Sequence, residues 1–251
     1  MSYVSRVEEI CLGLRRVHDT IVSCSKGRDV RLVAVSKLKP VDDIRIAYDY
    51  GQRHFGENFV QEMIEKAKLL PLDCCWHFIG GLQTNKCKAL ASIPNLWAVE
   101  SLDSSKKAYL LNKALIDLKK SSTIDNHSRK LNVFVQVNTS CEEAKNGVSI
   151  SDSMELCSYI INNCKELYLK GLMTIGSLSE SNSEYNKDFE INSVKALVKC
   201  RDEITKSLGI ELELSMGMSR DFELAIKMGS TNIRVGTNIF GVRPFRHMNT
   251  L

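Results

Sequence analysis

Eight short runs rich in β-branched and other apolar residues punctuate the chain, and stretches with helical spacing of apolar positions separate most of them. This alternation limits the fold more than any other feature. Strands that alternate with helices pair in parallel, because each parallel return needs a long crossover. The runs fall at residues 32–36, 54–56, 76–80, 96–100, 132–138, 171–175, 211–216 and 232–235. Helical patterns follow Pro40 and cover 57–70, 84–92, 104–119, 153–164, 192–208 and 220–228. Ahead of the first strand, Val4, Val7, Cys11, Leu14, Val17 and Ile21 recur at steps of three and four, which predicts an added N-terminal helix stopped near Gly27. Residues 121–130 and 177–186 are polar and aperiodic and read as surface loops. The pattern predicts an α/β protein: a single (β/α)8 TIM barrel domain over residues 1–251, with an open doubly wound sheet as the alternative.

Composition narrows the function classes. A hydrophobic share of 43% with 25% charged residues suits a globular protein in water. The formal net charge is only +4, and the lysines are dispersed without interleaved aromatics, which argues against nucleic acid as a partner. Nine cysteines form no C-x-x-C pair and read as reduced thiols. The five histidines do not cluster with them, so no metal is expected. No apolar leader or membrane-length run is present, so the expected location is cytoplasmic, with no membrane partner and organelle targeting left open.

In a barrel of this kind, chemistry sits where strands end. The polar residues expected there are Lys37, Asn58, His77, Asn138, Thr174, Ser219, Arg234 and Thr237. Lys37 closes LVAVSKLKP (32–40). An amine held among apolar walls loses basicity and can attack an aldehyde to form a Schiff base; the plainer reading is a lysine that reaches out to water. SMGMSRD (215–221) lies between a strand and a helix, where Gly217 allows a tight turn and Ser219 can cap the helix or meet an anion. RVGT (234–237) closes the last strand, and Gly236 and Thr237 can offer N–H groups and a hydroxyl to the same anion. Arg234 either faces whatever carries that anion or pairs with a carboxylate such as Asp221 or Glu223. In a closed barrel the first and eighth strands are neighbours, which joins lysine and anion cradle in one pocket. An aldehyde that bears a phosphate fits it: pyridoxal 5′-phosphate (PLP), or a phosphosugar on a Schiff-base aldolase.

Seven blocks then resemble one family: LVAVSKLKP, GQRHFGENFVQE (51–62), WHFIGGLQTNK (76–86), VFVQVNTSCEEAKNGV (133–148), KGLMTIG (170–176), ELSMGMSRDFELAI (213–226) and GSTNIRVGTNIFG (229–241). They are similar to the pyridoxal phosphate homeostasis protein family, also called YggS-like or proline synthase co-transcribed, across about residues 30 to 245. The resemblance implies a barrel related to the N-terminal domain of alanine racemase. It implies that Lys37 carries PLP as a Schiff base and that Ser219, Gly236 and Thr237 hold the phosphate, with Met216 and Gly217 as further cofactor contacts. Arg234 would meet the pyridine nitrogen and Asn58 the cofactor face. Gly81, Cys141 and Ala144 depart from the usual blocks, at positions that are not expected ligands.

A carrier is favoured over an enzyme. Arginine at the ring nitrogen keeps that nitrogen unprotonated and the ring a weak electron sink. Racemisation also needs a second acid/base, which alanine racemases take from an additional domain, and no such domain is expected after the eighth strand. The expected role is intracellular PLP homeostasis: holding the aldehyde, limiting free PLP and supplying apo PLP-dependent enzymes as transient partners, without robust turnover. The alternative is a PLP-dependent enzyme such as a weak amino-acid racemase. A monomer is expected, with a dimer left open. Lys39 reads as an ordinary solvated lysine.

Overall fold

Strands such as LVAV and NVFV carry apolar residues on both faces, so they need cover on both sides. In the computed structural model, which describes residues 3–121, 130–140, 146–175 and 185–242, a closed barrel inside a layer of helices provides it. The strands are β1 (Arg31–Val35), β2 (His54–Glu57), β3 (Cys75–Phe78), β4 (Leu96–Leu102), β5 (Leu131–Gln136), β6 (Leu167–Met173), β7 (Glu213–Ser215) and β8 (Asn232–Val235). They pair in parallel in chain order. The register Arg31↔Asn232 to Ala34↔Val235 joins β1 to β8 and closes the barrel, so the open-sheet alternative is ruled out.

The helices are α1 (Tyr3–Ser25), α2 (Val41–Asp49), α3 (Val60–Leu69), α4 (Cys87–Ala91), α5 (Ser105–Ser121), α6 (Ile150–Asn163), α7 (Tyr185–Leu208), α8 (Phe222–Lys227) and α9 (Thr237–Phe240). The main core lies between strands and helices, where Phe55, Met63, Trp76, Phe78, Leu102 and Leu111 are fully buried. Each such side chain contributes about 1.5–3 kcal/mol by leaving water. The added helix α1 buries Ile10, Leu14, Val17 and Ile21 against this layer. A Cβ at Gly13 would sit 2.6 Å from the Asn238 carbonyl, so glycine lets α1 come close to α9. Arg6 of α1 donates to Asp43 and to the Phe240 carbonyl, which ties α1 to the region beyond β8.

Some boundaries differ from the pattern. β6 starts at Leu167, four residues earlier than expected. Its first half alternates buried Leu167 and Leu169 with exposed Tyr168, whereas the continuous apolar run that drew the assignment comes later. α3 starts at Val60 because Glu57 still belongs to β2. α6 starts at Ile150, where the Ser149 side chain accepts from Asp152 N–H as an N-cap. Helix α7 takes in residues 185–186 of the expected second loop; residues 122–129 of the first loop, the remainder of the second, and Cys141 and Ala144 lie outside the described residues.

Candidate functional site

The strand ends place Lys37 one turn beyond β1. Ser36 O accepts from Lys39 N–H at 3.0 Å, and Leu38 takes a left-handed φ of 60°, so the chain turns sharply at the lysine. A buried ionic cluster holds this turn. Lys66 Nζ of α3 donates to Ser36 O (2.8 Å), Glu57 Oε1 (2.7 Å) and Glu62 Oε1 (2.6 Å). Glu57 Oε1 also accepts from Ser36 Oγ at 2.6 Å, and Glu62 Oε1 from Leu38 N–H at 2.7 Å. Lys37 is thereby flanked by backbone with little freedom. Its side chain is half-buried, with Nζ 5.8 Å from the centre of the exposed Phe59 ring.

Lys39 is not the solvated lysine the sequence suggested. It is buried, and its Nζ donates to Phe240 O (2.7 Å) and Val242 O (2.8 Å). Because β1 ends at Val35 and the chain then turns, the two-residue alternation of a strand does not relate Lys39 to Lys37.

Next to this turn lie the ends of β7 and β8. Met216 is buried and Gly217 follows it with φ 96°; a Cβ there would sit 2.7 Å from Ala225 Cβ, so only glycine fits. Gly217 O accepts from Arg234 N–H, which locks the loop to β8. Ser219 does not cap α8: its Oγ accepts from Gly236 N–H at 3.2 Å, and Asp221 stands at the cap position and accepts from Met218 N–H. A Cβ on Gly236 would lie 3.1 Å from Val35 O, so the end of β8 closes tightly on β1. Thr237 opens α9 and is exposed. Asn58 follows β2 and is half-buried; a Cβ on Gly80 would lie 2.0 Å from its carbonyl, so Gly80 lets the β3 end approach it. Lys37, Gly217, Ser219, Arg234 and Gly236 are thus brought to the neighbouring ends of β7, β8 and β1, with Asn58 one strand further on.

Arg234 points into the barrel and is buried. Its Nη1 donates to Ser215 Oγ (2.5 Å) and its Nη2 to Thr174 O (2.7 Å). The carboxylate near it is Glu100, at 3.9 Å, rather than the sequence candidates Asp221 or Glu223. Glu100, on β4, accepts from Ser215 Oγ (2.5 Å), Asn232 Nδ2 (3.2 Å) and His77 Nδ1 (2.5 Å), and His77 Nε2 lies 2.8 Å from His54 Nδ1. β4 does not adjoin β7 or β8, so these side chains meet through the lumen. Burial holds His77 below the ordinary histidine value, which leaves it neutral and donating Nδ1–H to Glu100. Burial would raise the Glu100 carboxyl, but the His77 contact, the Arg234 charge and Ser215 together bring it below the usual carboxylate range. Burial also lowers Arg234 from the usual arginine value.

Of this array the sequence drew attention to His77 and Arg234. Glu100, Ser215, Asn232 and His54 were missed, as were Glu57, Glu62 and Lys66 beside the lysine. A carboxylate closing the apolar run LWAVE was the one signal for Glu100. Among the described residues no group of histidine, cysteine and carboxylate side chains suits a metal ion, and no helix is long and apolar enough to cross a membrane.

The model of the alanine racemase N-terminal domain matches residues 14–244. A pyridoxal phosphate homeostasis protein of Schizosaccharomyces pombe is 49% identical over 235 residues, 93% of this chain and 92% of that protein. The protein of the same name from Homo sapiens is 44% identical over 224 residues, 86% and 77% of the two chains. Among solved structures, PipY of Synechococcus elongatus PCC7942 with PLP bound superposes with a TM-score of 0.70 at 31% identity, over 89% of this chain and 99% of that one.

Proposed function

The chain belongs to the pyridoxal phosphate homeostasis protein family, built on the alanine racemase N-terminal domain, and from that premise we propose that it binds PLP and serves PLP homeostasis. In this reading Lys37 holds the aldehyde carbon through a Schiff base. Ser219, Gly236 and Thr237 hold the phosphate, with Met216 and Gly217 as further cofactor contacts; Arg234 meets the ring nitrogen, and Asn58 lines the face of the ring.

The observation that carries the reading is the meeting of three strand ends. A turn-held lysine, the paired Ser219 hydroxyl and Gly236 N–H, and a buried arginine stand on β1, β7 and β8, side by side. The donors suit the group. Hydroxyl and backbone N–H groups at glycine turns satisfy phosphate oxygens, an amine suits an aldehyde, and a guanidinium donates to an unprotonated ring nitrogen. That last contact favours storage over turnover, because a ring without a proton on nitrogen withdraws electrons poorly. The protein would keep the reactive aldehyde bound, limit its free concentration and release it to apo-enzymes.

The purified protein is expected to be yellow, and borohydride followed by peptide mass mapping is expected to place one PLP on Lys37. A Lys37→Ala protein that retains PLP as well as wild type would overturn the site. No sustained racemisation is expected across a panel of amino acids; steady turnover that disappears in Lys37→Ala would instead establish a PLP-dependent enzyme.

A further inference from the structure

Barrels of this fold usually fill the lumen with branched apolar side chains. Here one side of the lumen is apolar, with Ala98, Phe134 and Met173, though none of these is branched. The other side carries His77, Glu100, Ser215, Asn232 and Arg234, all buried. A buried ion pair is a weak source of stability compared with apolar packing, so the array asks for another reason.

The donor pattern supplies one. Every group against the Glu100 carboxylate is a donor: His77 Nδ1–H from β3, Ser215 Oγ–H from β7 and Asn232 Nδ2–H from β8. Ser215 then accepts from Arg234 Nη1, so its hydroxyl links cation to anion while Glu100 itself stays 3.9 Å from the guanidinium. The other charges nearby are already spoken for. Arg31 donates to Glu213 and to Asn232 Oδ1, and Lys170 pairs with the same Glu213. Asp221 attracts Arg234 as well, but its Oδ1 is held by Met218 N–H. His54 completes the chain behind His77, with Trp97 edge-on to its ring.

We propose that Glu100 is the positioning residue of Arg234: held from three strands, it orients the guanidinium through Ser215 and balances its charge where Arg234 meets the PLP ring. This rests on the PLP site proposed above. It adds that the charge met by the ring belongs to an arginine–carboxylate pair rather than to an isolated arginine.

Glu100→Gln tests it. Glutamine keeps the volume but presents one donor among donors, so an N–H must face another N–H or O–H. Two readings follow. In cofactor-free protein, ¹⁵N-arginine spectra assigned with Arg234→Lys should show the Arg234 guanidinium hydrogens exchanging at least about tenfold faster in the variant, as expected when a charge-assisted array is lost. In PLP-loaded protein, the pH midpoint of the bound cofactor's absorbance change should fall by on the order of one unit, because the protonated form loses a nearby negative charge. Glu100→Asp, which restores the charge, should return the midpoint most of the way. If Glu100→Gln does not fold, Ser215→Ala removes the link, leaves Asn232 Nδ2 its bond to Glu100, and should still speed guanidinium exchange. A wild-type absorbance band with unchanged exchange and midpoint in these variants overturns this inference alone. A wild-type protein with no bound-cofactor band overturns the site and the inference together.

Discussion

Replacing Lys66 by methionine tests the cluster that holds the Lys37 turn. The change keeps most of the side-chain volume and removes one cation that donates to Glu57, Glu62 and Ser36 O. The three acceptors fare differently. Glu62 is partly exposed and can regain water, and Ser36 O still accepts from Lys39 N–H. Glu57 has no exposure, and its Oε2 has no hydrogen-bond partner among the described residues, so the cost falls there. Breaking a buried pair from one side costs about 3–5 kcal/mol, and we expect the lower end because Glu57 can take up a proton instead. Burial already holds the Glu57 carboxyl above its ordinary value despite Lys66, and losing Lys66 removes the strongest opposing influence. A carboxyl whose pKa is raised by folding costs nothing below its unfolded value and costs more as pH rises toward its folded value. The destabilisation should therefore be largest at pH 8 and shrink toward pH 5. The assay is urea unfolding followed by tryptophan fluorescence at both pH values, for wild type, Lys66→Met and Lys66→Met/Glu57→Gln. The double variant should recover a large part of the loss. A single variant that costs less than about 1 kcal/mol at pH 8, or the same at both pH values, refutes the reasoning.

Lys39→Met should lower stability by about 1–3 kcal/mol, by removing the buried amine that ties the β1 turn to Phe240 O, which keeps only Arg6, and to the exposed Val242 O; a melting temperature within about 1 °C of wild type would contradict this. Gly80→Ala should cost upward of about 3 kcal/mol, since the new Cβ would meet the Asn58 backbone; wild-type stability by denaturant unfolding would show that the strand ends part easily. Among the cysteines of the described residues, thiol reagents should modify the half-buried Cys11 and Cys75 first in native protein and leave Cys157 untouched, its thiol fully buried and pushed up to about 12; mass mapping that finds Cys157 labelled early would count against the packing of α6 on α7.

Much of the fold was legible because it rests on local patterns. Eight apolar runs separated by helical spacing require parallel pairing, and the strand 232–235 has the expected bounds. The order β1 to β8 follows from crossovers that join strands consecutive in the chain, as sequential elements usually lie side by side. β6 was displaced because its first half alternates buried and exposed positions and so lacks a continuous apolar run. Local sequence leaves Ser219 open as a helix cap or an anion ligand, since a serine before a helix often caps it; in the fold its hydroxyl is taken instead by Gly236 N–H, from a strand distant in sequence.

By itself, then, the sequence determined the barrel, its added helix, and which segments, LVAVSK, SMGMS and RVGT, arrive at the same end. Those properties depend on residue type and spacing along the chain. Which side chains become partners was decided only by closure. Glu100 reaches Ser215 and Arg234 across a lumen that exists only once β8 has paired with β1, and Lys66 reaches the Lys37 turn only once α3 lies against β2 and β3. Lys37 and Lys39 stand two residues apart in the chain; the turn at Leu38 leaves one at the strand end and takes the other to the carbonyls at and just after the end of α9.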